Sequence, residues 1–213
     1  MKKIILISSI TFLILLLGAY VAMASSVGPN SPGTMADDST VGTVAWSNPD
    51  NAKVSDAVYA TASNGGTGGT THYLKATNFG FSIPSGATID GILVEIQRAK
   101  TSGGNNVNNA ARDSSVKIVK VDGTIGTTNK AATADNWPLI EAYKSYGSSS
   151  DLWGETWDDT KINDIDFGVV ISASLISDTG TPVAGVDHIR ITVYYTEAAP
   201  ASQTRVANVI IFE

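Results

Sequence analysis

Apolar and polar residues alternate over several short stretches of this chain, and a period of two is the mark of half-buried β-strands. In "GILVEIQRAK", Ile92, Val94 and Ile96 take one face while Leu93, Glu95 and Gln97 take the other. "FGVVISASL" sets Phe167, Val169, Ile171, Ala173 and Leu175 against Gly168, Val170, Ser172 and Ser174. "VDHIRITVYYT" sets Ile189, Ile191, Val193 and Tyr195 against His188, Arg190, Thr192 and Tyr194. Shorter strand signals stand in "VGTVAW", "SDAVYATA", "HYLKATNFGF" and "SSVKIVKVDGTIG", divided by turn clusters such as "NPDN" and Asp122-Gly123. "TSGGNNVNNAARD" reads as a polar loop. One short helix is expected near Asp158 to Asp164, capped by Thr156 or Asp158. About eight to ten strands with at most one short helix predict an all-β fold: a two-layer antiparallel β-sandwich of jelly-roll type with long loops.

The two ends break this pattern. Residues 1–24 carry Lys2 and Lys3, then an apolar run, then small residues at Ala22 and Ala24, which is the build of an export signal cleaved after Ala24. Left uncleaved, Ile4 to Ala24 would reach about 31 Å as a helix and could span a bilayer, so a membrane partner is expected only in that case. Residues 25–40, rich in Gly, Pro and Ser, read as a linker or N-terminal arm, and the sandwich is expected over 41–197. Residues 198–213 read as a linker followed by a C-terminal strand.

Several phrases together resemble a known but uncharacterised β-sandwich module of secreted and cell-surface bacterial proteins and of phage-associated proteins. They are "VGTVAWSNPDNAKVSDAVYATA", "YLKATNFGFSIPSGATIDGILVEI", "DLWGETW", "INDIDFGVVISA" and "VDHIRITVYYTE". The likeness runs from about Ser31 to Glu197. It implies a β-sandwich on extracellular proteins and supplies no catalytic residues.

Charge narrows the partners. Without residues 1–24 the chain keeps 12 basic and 20 acidic residues, a net charge of −8, which disfavours nucleic acid and anionic membranes. The chain has no cysteine, so no disulfide braces it outside the cell.

Candidate chemistry is sparse. His72 and His188 are the only histidines, and each reads as a strand residue without a catalytic setting. No nucleophile-elbow or zinc-helix motif occurs. A non-enzymatic protein is expected, the weak rival being a glycan hydrolase with two loop carboxylates. Asp187 shares the parity of Ile189 and should point inward, where Arg98 would be its partner, because a buried unpaired charge is costly. Asp158, Asp159, Asn163, Asp164 and Asp166 offer oxygen ligands for a structural calcium ion, though without EF-hand spacing; capping and solvated loop acids are the plainer reading. No other cofactor is expected. Trp153, Trp157 and Tyr146 are the candidate platforms for a glycan, unless they plug the end of the sandwich.

The tail points to protein contacts. Val206, Val209, Ile210, Ile211 and Phe212 leave both faces of a closing strand apolar. Burying five such side chains contributes about 7–15 kcal/mol, and ordering ten residues costs about 10–20 kcal/mol. Docking therefore needs two-sided burial and backbone pairing, on the chain's own sheet or on a neighbour's. The favoured expectation is a secreted or cell-surface matrix protein that works through protein contacts, with self-assembly by strand addition. A carbohydrate-binding module is the alternative.

Overall fold

Ile92, Val94 and Ile96 face inward as their alternation requires, and the strand that carries them runs from Thr88 to Ser102. It is the sixth of ten strands in the computed structural model, which describes residues 23–103 and 108–199. In chain order the strands are β1 (Ala24–Asn30), β2 (Thr34–Asp38), β3 (Ala60–Ala62), β4 (Gly69–Thr70) and β5 (Tyr73–Thr77). There follow β6 (Thr88–Ser102), β7 (Ala110–Val119), β8 (Ala142–Gly147), β9 (Gly168–Ile176) and β10 (Val183–Thr196). One α-helical turn, α1 (Asp159–Ile162), and a 3-10 turn at Pro49–Ala52 complete the elements.

Every strand pair is antiparallel. In the first sheet β10 pairs with β6 along its length, β8 lies beyond β6, and β1 and β3 share the other side of β10. In the second sheet β9 has β7 on one side and β5 and β4 on the other, with β2 outside β5. From β5 to β10 successive strands alternate between the sheets, which is jelly-roll winding. The expected two-layer sandwich is therefore the observed one.

The core lies between the layers. Ile92, Val94, Ile96, Val186, Ile189, Ile191 and Val193 from the first sheet meet Leu74, Val116, Ile118, Val169 and Ile171 from the second. A smaller cluster of Tyr73, Val119 and Val170, with Val41 and Ile125 against it, covers the outer face of the second sheet. That cover explains why β9 is buried on both faces through Ala173.

Three boundaries differ from the sequence reading. The stretch 25–40, expected as a linker or arm, forms most of β1 and all of β2, so the sandwich begins at Ala24 and not at 41. Backbone pairing with β10 and β5 holds these polar strands at the sheet edges, where alternation is not needed. β1 kinks between Val27 and Asn30, and at Gly28 (φ 110°) a Cβ would lie 2.5 Å from the Ile191 carbonyl oxygen, so the close approach requires glycine. The "AARD" expected in a loop opens β7, and β8 is a strand that the apolar alternation did not predict. The C-terminal strand expected from Val206, Val209, Ile210, Ile211 and Phe212 lies outside the described residues, as does the expected leader up to residue 22.

Candidate functional site

A bulge in β10 decides which polar groups are inside. β10 pairs Val186 with Arg98 and His188 with Gln97 of β6, so Asp187 is an extra residue with no partner in the ladder. Val186 and Ile189 both remain in the core, so Asp187 and His188 both turn to the outer face of the first sheet. The expected inward pairing of Asp187 with Arg98 is therefore wrong: simple parity fails across a bulge.

Arg98 does face inward, and its partner is Asp113 of β7, with the Arg98 Nε 3.3 Å from Asp113 Oδ1. Asp113 is fully engaged. Its Oδ1 also accepts from Trp137 Nε1 (2.7 Å), and its Oδ2 accepts from the Tyr146 hydroxyl (2.8 Å) and the Ala132 amide (2.9 Å). Arg98 Nε donates to the Tyr146 hydroxyl at 3.1 Å, and its guanidinium lies 5.1 Å from the Trp137 ring. Burial and the Asp113 charge push the Tyr146 phenol above its ordinary value.

Beside this network a shallow cleft of about 520 Å³ opens between residues 134–138 and the start of β8. Arg98, Asp135, Asn136, Tyr143 and Lys144 are among its lining residues. Lys144 Nζ donates to Asp135 Oδ2 at 3.1 Å, and Arg112 Nε donates to Asn136 Oδ1 at 2.6 Å. The strand β8 positions Tyr143 at its boundary with the outer face of the first sheet, opposite Gln97.

On that face Tyr143 joins a second network. Its hydroxyl lies 2.7 Å from His188 Nδ1, and Ser31 Oγ lies 2.8 Å from His188 Nε2. Arg190 sits 4.0 Å from the Tyr143 ring centre and makes a two-point bond to Glu95, at 3.0 and 3.1 Å. This bond raises the Arg190 pKa, while burial, reinforced by the Arg190 charge, lowers that of His188. His188 is thus a buried ring that is neutral at neutral pH. A serine on a neutral histidine is half of an acyl-transfer apparatus, but the other ring nitrogen meets a tyrosine where a carboxylate would be required. Asp187 is turned instead to the 53–59 segment, where its Oδ1 accepts from the Asp56 amide at 3.4 Å and its buried Oδ2 has no partner among the described residues. Burial raises its pKa, and the Glu141 and Asp56 carboxylates raise it further. Tyr59 donates to Glu141 at 2.6 Å, which pushes its phenol up to about 12.

The candidate glycan platforms are inside the protein, as the alternative of rings that plug the sandwich end requires. Trp153, Trp157 and Tyr146 are 1%, 9% and 3% exposed. Trp153 Nε1 donates to the Ile92 carbonyl and Trp157 Nε1 to the Leu152 carbonyl, both at 3.0 Å, and Trp157 packs edge-on against Phe167. These rings close the sandwich; none offers a flat face. Trp157 touches only the wall of a second cleft, of about 340 Å³, with Lys120, Glu155 and Lys161.

The candidate calcium ligands serve local structure, which is the plainer of the two readings. Asp158 caps α1, accepting from the Lys161 amide (2.9 Å) and the Thr160 hydroxyl (2.6 Å). Asp159 accepts from the Gly86 amide, Asn163 bonds both backbone groups of Ile83, and Asp164 closes a turn onto the Asp166 amide. Among the described residues no three His, Cys, Asp or Glu side chains cluster as metal ligands would. Sequence reasoning missed Ser31, Asp113 and the role of Tyr143; the inward parity of Arg98 was the one usable signal.

No family model matches the chain, and no curated protein matches it. Among solved structures it is similar to the CBM22-1 xylan-binding domain of Paenibacillus barcinonensis Xyn10C, at 9% identity and a TM-score of 0.36, over 83% of this chain and 95% of that one. At that score the likeness carries no argument about ligands.

Proposed function

We propose that this chain is a carbohydrate-binding β-sandwich module that acts by binding, with the Tyr143 cleft as its site. A sugar needs two kinds of contact at once: an aromatic surface for its C–H groups and planar polar side chains for its hydroxyls. The observation that carries the reading is a cleft of about 520 Å³ in which the half-buried ring of Tyr143 stands beside Arg98, Asp135, Asn136 and Lys144. Arg190 and His188 hold the Tyr143 side chain from the other network, so its position is fixed before a ligand arrives. Calorimetric titration against a panel of neutral and acidic oligosaccharides tests it. At least one should bind the intact chain, and Tyr143→Ala should abolish binding without loss of fold. Equal binding by that variant refutes the site.

A second reading rests on a different observation. The outer edge of β1 is unpaired among the described residues, and the Glu197 amide donates to the Met23 carbonyl beside it, at 3.2 Å. The tail therefore departs next to an open sheet edge, which is what strand addition by residues 206–212 would use. Deleting residues 203–213 should lower the mass seen by light scattering if a neighbour's tail fills that edge.

A further inference from the structure

We infer that the cleft selects a sugar that carries a carboxylate, with the Arg98 fork as its receptor. This rests on the glycan reading of the same cleft. Arginine has five N–H donors, and among the described residues only the one on Nε is used. It goes to the Tyr146 hydroxyl, with Asp113 Oδ1 3.3 Å away as the counter-charge. Asp113 has no capacity left, because Trp137, Tyr146 and Ala132 occupy the rest of its two oxygens. Among the described residues no acceptor bonds either Nη, although Arg98 is only 3% exposed. A guanidinium buried to that degree normally has its donors met. Arg98 lines the cleft, and neither Nη is among the fully buried unpartnered atoms of the described residues, so the unmatched donors keep some access to solvent.

The surroundings suit an anion. The Asn136 amide oxygen is taken by Arg112, which leaves its NH₂ as a donor, and Lys144 adds a second positive charge at the rim. Asp135 is the one acid lining the cleft among the described residues, and Lys144 already pairs with it. The planar fork of arginine matches the two oxygens of a carboxylate, whereas lysine offers only a point charge. The net negative chain thus holds a local site of the opposite sign.

The test titrates the intact chain with a uronic-acid oligosaccharide and with the same oligosaccharide after carboxyl reduction. The acidic form should bind at least tenfold tighter. Arg98→Lys should erase that preference while its thermal melt reports whether it folds. Because Arg98 also braces the interior, arginine side-chain nitrogen resonances of the unmodified protein give a second readout: one Nη pair should shift with the acidic ligand alone. Equal binding of the two sugars overturns the carboxylate assignment and leaves the glycan reading standing. Binding of neither overturns both.

Discussion

Replacing Asp187 with Asn should stabilise the protein at neutral pH. The carboxylate is fully buried, one oxygen has no partner among the described residues, and the backbone amides of Asp56 (3.4 Å) and Ala57 offset the charge only in part. Glu141 and Asp56 add like charge, and among the described residues no cation forms an ion pair with it. An unmatched buried polar group costs about 1–3 kcal/mol, and a charged one more. Removing the charge should therefore add about 1–3 kcal/mol, or roughly 2–12 °C in Tm at about 2–4 °C per kcal/mol for a chain of this size. The pH dependence carries the sign. The native pKa of Asp187 is raised, so the folded state favours the proton, and the wild type loses stability as pH rises through that native value. The advantage of Asp187→Asn should be largest at about pH 7–8, shrink as pH falls through the raised value, and vanish below the ordinary value of 3.8. Scanning calorimetry on both proteins across this range measures it. A variant that is less stable at neutral pH, or a gap that does not change with pH, would refute the reasoning.

Asp113→Asn should do the opposite, costing about 3–5 kcal/mol, because it removes the charge that matches buried Arg98; urea midpoints at constant m-value check this. Trp153→Ala should cost about 3–5 kcal/mol in the same assay, since a 1%-exposed indole leaves a core cavity, while glycan titration of the folded fraction should be unchanged. Asp158→Ala should cost about 1 kcal/mol through loss of the α1 cap, and the loss should be the same with EDTA or with excess calcium chloride. A larger loss in calcium would mean that these acids hold the ion after all.

The layers were legible because burial on one face forces alternation. β6, β9 and β10 each carry a core-facing series at every second residue, and those three strands set both sheets. β1 and β2 were not legible, since an edge strand held mainly by backbone pairing can be built from Gly, Pro, Ser and Asp. β8 hid for a related reason: its inward position Tyr146 belongs to the polar network around Asp113, and no apolar residue marks the period. The single helical turn was legible because a cap is a local device: Asp158 and the amide it accepts are three residues apart.

The candidate site was read less well, and one residue explains most of the error. Counting by twos along β10 sends Asp187 inward and toward Arg98; the bulge between Val186 and His188 shifts the count by one. The correct partner, Asp113, lies on β7 in a stretch whose asparagines and alanines mimic a loop. Bulges mark places where a strand re-aims a side chain, often at a sheet edge or beside a site. Here the bulge separates two acids with opposite fates. Asp113 neutralises an interior arginine that lines a cleft. Asp187 is buried under the 53–59 segment without a matching charge among the described residues. If stability alone governed the sequence, the second arrangement would be simple to relieve by one substitution. The gain predicted for Asp187→Asn thus measures how much stability this face forgoes, and a glycan affinity unchanged in that variant would separate the bulge from the Tyr143 cleft.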